Sequence, residues 1–205
     1  MTRRTFPRRE AVHSTVAAEV LARHARSADL PIGLPVPIEL IIEQTYGLQI
    51  LSDEIEEPAG SMILGALDPS QRLIILNSRH QAMFDQWVGP ERFTLAHELA
   101  HWIYDAESPD QLSLDVEAEA QPVFCYHREA AALNEDLRVR EVNANKLAAN
   151  LLLPEHLVRQ ADIDWVLREF RTVAALWGVS QTTLRIRLET LELVDDFDLA
   201  RLPIN

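Results

Sequence analysis

The stretch that most constrains this chain spans residues 93–106 and reads FTLAHELAHWIYDA. His97 and His101 are four residues apart, and Glu98 directly follows the first of them. Residues at i and i+4 share one face of a helix, so both imidazoles can reach a single Zn²⁺ ion. Glu98 is rotated from His97 by about 100° on that helix, where it is a poor ligand but can act as general base on a metal-bound water. The stretch therefore predicts a helix that carries two metal ligands and a base.

The alternative is an amphipathic helix with two structural histidines. Leu95, Leu99 and Trp102 would form its inward face. A single histidine on a half-apolar helix is usually structural, but two histidines spaced i,i+4 around a glutamate are much rarer. The metal site is therefore the favoured interpretation.

A catalytic zinc site normally has three protein ligands and an open position. The later stretch LRVREVNANKLAANLLLPEHLV offers Glu141 and Asn145, again spaced i,i+4 on one helical face. Glu141 can serve as the third ligand, and Asn145 can accept a hydrogen bond from a ligand histidine. Glu129 and Glu135 are competitors for the ligand position, although neither has a matching polar partner.

The segments around these two helices predict a small sheet. Strand patterns occur in LQILSDEI, SMILGALD and QRLIILN, and Asp68-Pro69-Ser70-Gln71 favours a turn between the last two. We expect the sheet to be antiparallel, with SMILGALD beside the metal, where an extended substrate could pair with its edge and Gly65 would permit close approach. Residues 106–127 look irregular and acidic, and the second long helix should run from about 127 to 153.

The remaining segments are predicted to be helical. Residues from about 8 to 28 have the apolar spacing of a helix, and a proline-rich connector follows them. IELIIEQTYGL predicts a short helix that ends near Gly47. Pro90 suits the first position of the HELAH helix. Residues from about 162 to 193 predict two or three short helices.

The two ligand-bearing stretches also resemble a known family. RFTLAHELAHWIY followed by EVNANKLAANLLLP is similar to the ImmA/IrrE-type metallopeptidases, and the likeness extends to the RLIILN strand and to the tail, covering most of residues 36 to 193. The resemblance implies a zinc-dependent endopeptidase in which His97, His101 and Glu141 hold the metal and Glu98 is the catalytic acid and base. It also implies that the substrate is a protein, with a helix-turn-helix transcriptional repressor as the expected target in mobile-element or stress-response regulation.

These observations predict an α+β fold with a mostly antiparallel sheet packed on the HELAH helix and on a second ligand-bearing, gluzincin-like helix. We expect an N-terminal helical extension over 1–35, a metallopeptidase domain over 36–160 and a helical, helix-turn-helix-like tail over 161–205. Mn²⁺ also accepts histidine and carboxylate ligands, so it is the alternative to Zn²⁺. A further group that stabilises the transition state is usual, and the sequence leaves four candidates open: Tyr104, Tyr126, His127 and Arg138.

Charge and hydropathy limit the partners and the compartment that we expect for this protein. The formal net charge is −13, which disfavours phosphate backbones as the main partner. No apolar run is long enough to span a bilayer, and no apolar region follows the N-terminal arginines as in a signal peptide. The single cysteine, Cys125, fits a reducing compartment. We therefore expect a cytoplasmic protein without a membrane partner.

The tail leaves two rival functions open. TVAALWGVSQTTLRIRLETLEL has the spacing of a helix-turn-helix segment, and Arg185 and Arg187 could contact phosphates. Glu189 and Glu192 lie close to them, so packing or protein docking is favoured over direct DNA binding. The alternatives to a peptidase are thus a DNA-binding regulator and a toxin–antitoxin component, each with a non-proteolytic metal site.

Overall fold

The computed structural model describes residues 7–106, 123–126 and 135–195, together with residues 198 and 202. Its helices and strands have the following bounds: α1 Pro7–Ala28, α2 Ile38–Leu40, β1 Gln49–Asp53, β2 Ile63–Asp68, β3 Leu73–Asn77, α3 Gln81–Gln86, α4 Val88–His101, β4 Val123–Tyr126, α5 Glu135–Leu152, α6 Glu155–Val158, α7 Ile163–Arg168, α8 Phe170–Leu176 and α9 Gln181–Thr190. π-Helical turns at Ile41–Thr45 and Trp102–Ala106 extend α2 and α4, and a 3₁₀ turn, Ser78–His80, precedes α3.

The four strands form one mixed sheet in the order β1-β3-β2-β4. β2 and β3 form the predicted antiparallel hairpin, whose turn is closed by the Asp68 carboxylate accepting the backbone N–H groups of Ser70 and Gln71. β1 is parallel to β3, so the expectation of antiparallel pairing is wrong for this pair. The mostly antiparallel character holds because β2 also pairs antiparallel with β4.

Strand β4 lies in the segment 106–127 that was expected to be irregular, and that expectation is wrong for Val123–Tyr126. β4 occupies the side of β2 that was predicted to be open for a substrate. β2 is therefore an internal strand, and β1 and β4 are the edge strands of the described sheet. The β2–β4 register shifts between Ile63 and Ala66, which places an irregularity next to Gly65.

Helices α4 and α5 pack against each other, and α4 also lies across β2 and β3. Gly65 permits the close approach of β2, because a Cβ atom there would lie 2.5 Å from the Thr94 methyl carbon and 3.1 Å from the Ile75 carbonyl oxygen. α4 begins at Val88, two residues before the expected Pro90 start. Proline is still tolerated there, since N–H groups of the first helical turn have no intrahelical partner.

The main hydrophobic cluster of the described residues includes residues from α1, from the central elements and from the tail. It takes Ala17 and Val20 from α1, Leu95 and Leu99 from α4, and further residues from α5 and the tail. The long N-terminal helix was predicted, as was the end of the short second helix at Gly47, which has φ 62°. The division at residues 36 and 161 stays a prediction, and residues from all three segments contribute to this cluster.

Residues 162–193 contain three short helices, α7 to α9, in agreement with the two or three expected there. Ser180 caps α9 by accepting the N–H of Thr183, and Gly178, with φ 66°, makes the turn between α8 and α9. The expected start of α5 near residue 127 lies outside the described residues. Helix α3 was not predicted from the sequence.

Candidate metal centre

Three potential ligands converge between α4 and α5. His97 and His101 lie on the last turns of α4, and Glu141 lies on the facing helix α5. Both histidines are buried, and the side chain of Glu141 is 19% exposed. One potential ligand atom from each residue lies within 4.8 Å of the others. The helix pairing, rather than sequence proximity, builds this cluster.

The donor atoms of the cluster face one another. The Nε2 atom of His97 lies 3.2 Å from Oε2 of Glu141, and the Nε2 atom of His101 lies 3.3 Å from Oε1. The two Nε2 atoms are 3.0 Å apart. Each imidazole therefore presents the same nitrogen to the shared space, and Glu141 offers one oxygen to each.

The other ring nitrogens point to oxygen atoms outside the cluster. Nδ1 of His97 lies 2.9 Å from Oδ1 of Asn145, the partner that the i,i+4 spacing from Glu141 suggested. Nδ1 of His101 lies 3.6 Å from Oδ2 of Asp105. Acceptor oxygens at Nδ1 favour the tautomer that leaves Nε2 free to bind a metal.

These residues fit a divalent metal ion. Two neutral imidazoles and one carboxylate are the donor set of a catalytic zinc site with an open position. The outward-facing ring nitrogens have oxygen partners, as ligand histidines do. The same donors also suit Mn²⁺, so the chemistry of the set supports a metal without fixing which one.

Glu98 is the most unusual group at this site. Its side chain is fully buried, and among the described residues neither carboxylate oxygen has a hydrogen-bond partner. Burial raises the pKa of Glu98 to about 7, against the opposing effect of His97 and His101. A carboxyl that changes protonation near neutral pH is well suited to take up and release a proton.

The ligand candidates carry complementary charges in the metal-free protein. Burial lowers the pKa of His101, but its contacts with Asp105 and Glu141 outweigh burial and raise that pKa to about 9. Burial raises the pKa of Glu141, but the two histidines outweigh burial and lower it to about 2. In the metal-free protein, a proton on His101 thus stabilises the Glu141 carboxylate, a task that a bound cation would take over.

The four proposed transition-state stabilisers have different placements. The Tyr104 hydroxyl lies 2.6 Å from Nδ1 of His13 on α1. Arg138 is exposed on α5, one turn before Glu141. The side chain of Tyr126 and the whole of His127 lie outside what the structure describes. The choice among them stays open.

Asp105 and Arg140 are site residues that the sequence reasoning missed. Asp105 lies in the π-helical turn after α4, and its Oδ2 atom accepts a hydrogen bond from Nη2 of Arg140 at 2.5 Å. A signal was available, because Asp105 follows His101 at i,i+4, the spacing that identified Asn145. Arg140 directly precedes Glu141 in the sequence.

A groove of about 620 Å³ lies between α4, α5 and α9, and Asn145 is one of the residues that line it. Phe93, Val142 and Ile186 contribute apolar surface to it, and Lys146 lies at its wall. Arg187 also lines the groove but is buried, with its Nε donating to the Leu153 carbonyl oxygen at 2.9 Å. The suggestion that Arg187 contacts phosphates is therefore wrong.

Comparison with known proteins places these features in context. A family model described as Peptidase M78, IrrE N-terminal-like domain, matches residues 46–189. A solved structure of a Mycobacterium tuberculosis transcriptional regulator superposes with a TM-score of 0.51 at 16% sequence identity, covering 87% of this chain and 46% of that one. At this identity the likeness shows the fold alone, and this chain spans less than half of the regulator. No curated protein matches the chain.

Proposed function

Since the chain belongs to the IrrE N-terminal-like domain family of M78 peptidases, as its sequence resemblance predicted, we propose that it is a zinc-dependent endopeptidase that cleaves a protein partner. The family model covers both ligand-bearing helices, so it includes every residue that the proposal uses. Metallopeptidase-type regulation is what the family suggests. The proposal adds three elements to this: the metal is zinc, the reaction is peptide-bond hydrolysis, and the partner has a stated identity.

The observation that carries the proposal is the placement of Glu98 beside the ligand cluster. A fully buried carboxylate with no hydrogen-bond partner among the described residues costs stability, and such groups are characteristic of functional sites. Its neighbour His97 belongs to a cluster with the donor set of zinc. A purely structural metal site would need no acid or base at this position.

Each residue of the metal centre has its own role in the proposed hydrolysis. His97, His101 and Glu141 would hold the metal, which when bound would polarise water and a substrate carbonyl. Glu98 takes the proton from the attacking water and then delivers it to the leaving amine. Asn145 keeps His97 in the required tautomer. Burial by α4, α5 and β2 keeps bulk water from Glu98 and preserves its raised pKa.

The proposed partner is a helix-turn-helix transcriptional repressor, cut in a regulatory step. Support comes from the family and from the fold shared with a transcriptional regulator. Among the described residues, no helix has both the length and the apolar composition needed to cross a bilayer. A cytoplasmic location is a separate part of the proposal.

Direct DNA binding by the tail is less well supported than protein docking. Arg187 is buried and bonded within the protein, and Ile186 and Thr183 of the same helix line the apolar groove. Arg185 alone of the two arginines remains partly exposed. A helix that directs its side chains into such a groove is better suited to packing or docking than to reading DNA.

The proposal is tested by co-expressing the protein with the products of its neighbouring genes, comparing wild type with Glu98→Gln. We expect a shortened partner only with wild type, because the amide cannot accept the proton. Both proteins should bind about one Zn²⁺ per chain by metal analysis. Glu141→Ala should lose metal as well as cleavage. Cleavage by the Glu98→Gln variant at the wild-type rate would rule out Glu98 as the base.

A further inference from the structure

We propose that Asp105 is a positioning residue that fixes the orientation of His101, and that Arg140 holds Asp105 in place for this task. The inference rests on the proposed metal site and adds a requirement to it. Asn145 supports one ligand histidine, His97. Asp105 and Arg140 would give the second histidine its own supporting pair.

The position of Asp105 makes it a support and not a fourth ligand. Its Oδ2 atom faces Nδ1 of His101, whereas Nε2 of the same ring faces Glu141. The carboxylate thus lies on the side of the imidazole opposite the ligand cluster. The distance of 3.6 Å is slightly beyond a hydrogen bond, and a shift of about half an ångström would complete one. Such a bond orients the ring and makes Nε2 a better ligand.

Arg140 restrains the same oxygen atom. Its Nη2 atom donates to Oδ2 of Asp105 at 2.5 Å, although the Arg140 side chain is 45% exposed. An exposed ion pair by itself adds little to stability, with a typical contribution of about 0–1 kcal/mol. The position of the Arg140–Asp105 pair is more informative, because the pair connects the turn after α4 to the residue next to Glu141. The pair therefore links the two elements that supply the ligands.

Asp105 lies in a π-helical turn that directly follows the last ligand on α4. Trp102 to Ala106 continue α4 with a wider winding, and His101 is the last residue of the regular helix. π-Helical turns are uncommon and often occur at functional sites. Here the change of winding occurs between the ligand and its proposed support.

The test measures Zn²⁺ affinity by competition with a chromophoric chelator, and records the visible spectrum of the Co²⁺-substituted protein. Asp105→Ala should weaken Zn²⁺ binding about ten- to hundredfold and alter the Co²⁺ bands, because His101 loses its orientation. Asp105→Asn should lose less Zn²⁺ affinity than Asp105→Ala, since its amide oxygen can still accept a hydrogen bond from Nδ1 of His101. Arg140→Gln should weaken binding, and Arg140→Lys should restore most of it.

The double variant separates positioning from simple charge effects. If Arg140 acts through Asp105, the double variant Asp105→Ala/Arg140→Gln should bind Zn²⁺ no more weakly than Asp105→Ala alone. Glu155→Gln is a matched control, because it breaks an exposed pair with Arg159, at 2.7 Å, away from the site. The control should keep the wild-type affinity. Thermal unfolding of the metal-free variants establishes folding, and Asp105→Asn replaces Asp105→Ala if the latter does not fold.

Two results would count against the inference. Zn²⁺ affinity within twofold of wild type in the Asp105 variants would overturn it while leaving the metal site intact. Additive losses in the double variant would overturn the role of Arg140. Failure of the wild-type protein to bind Zn²⁺ would instead remove the proposed function on which the inference depends.

Discussion

At the level of single residues, Glu98 has conflicting requirements for stability and for proton transfer. A buried carboxyl is easiest to accommodate when neutral, whereas a base must be able to lose its proton. With a pKa of about 7, the Glu98 carboxyl can be either neutral or charged near neutral pH. The residue is therefore expected to destabilise the metal-free fold at the pH where it would act.

The change Glu98→Gln should stabilise the metal-free protein, and more so at high pH. Because the folded pKa of about 7 lies above the ordinary 4.5, wild type loses stability as pH rises from about 4.5 to 7, and the amide does not. One pKa unit is worth about 1.4 kcal/mol, so the difference should reach a few kcal/mol. Urea unfolding at pH 5 and pH 8 with a chelator present measures it. Exposed Glu189→Gln is the control, and equal shifts in both variants would contradict the burial argument.

Metal affinity should rise with pH over a defined window. The pKa of His101 in the metal-free site is about 9, so at neutral pH a proton must leave before this imidazole can bind a metal. Affinity should then increase by about tenfold per pH unit between pH 7 and 9 and level off above that. Chelator competition across this range checks the slope. A flat profile would contradict the release of a proton from His101 on metal binding.

At the level of secondary-structure elements, the approach of β2 to α4 depends on Gly65. We expect Gly65→Ala to destabilise the fold by about 1–3 kcal/mol, because its Cβ would overlap the Thr94 methyl group and push β2 from the helix that carries Glu98. Thr94→Ser removes that methyl group and keeps the hydroxyl that bonds the Pro90 carbonyl oxygen. The double variant Gly65→Ala/Thr94→Ser should therefore recover part of the loss in thermal unfolding.

The matched control for this prediction is Gly33→Ala, since a Cβ atom at Gly33 would have no atom within 4 Å. Its melting temperature should stay close to that of wild type. If the Gly65 and Gly33 variants were equally stable, the close packing of β2 on α4 would not be important for the site.

The elements that the sequence predicted well are those specified by local patterns. The i,i+4 spacing of His97 and His101 needs only a helix, and the same holds for Glu141 and Asn145. The parallel β1–β3 pairing and strand β4 depend on contacts between distant segments, which apolar alternation does not encode. Asp105 follows His101 at the same i,i+4 spacing, but its ion pair with Arg140, which marks it as part of the site, depends on the packing of α4 against α5.

At the level of the whole molecule, Arg187 connects the three predicted segments. It donates to the Asn150 side-chain oxygen at 2.8 Å, and the same oxygen accepts from Ser14 on α1 at 3.0 Å. The side-chain amide of Asn150 on α5 thus contacts both the N-terminal helix and the tail. Asn150 lies near the C-terminal end of the helix that carries Glu141.

Replacing Arg187 with methionine should destabilise the whole protein as a unit. The change removes the buried guanidinium that donates to the Leu153 carbonyl oxygen and to Asn150, at an expected cost of about 2–5 kcal/mol. Urea unfolding followed by tryptophan fluorescence should keep one transition, because all three segments share one hydrophobic cluster. Arg185→Met on the same helix is the control and should change stability by less than about 0.5 kcal/mol. Two separate transitions would instead favour independent domains, divided near residues 36 and 161.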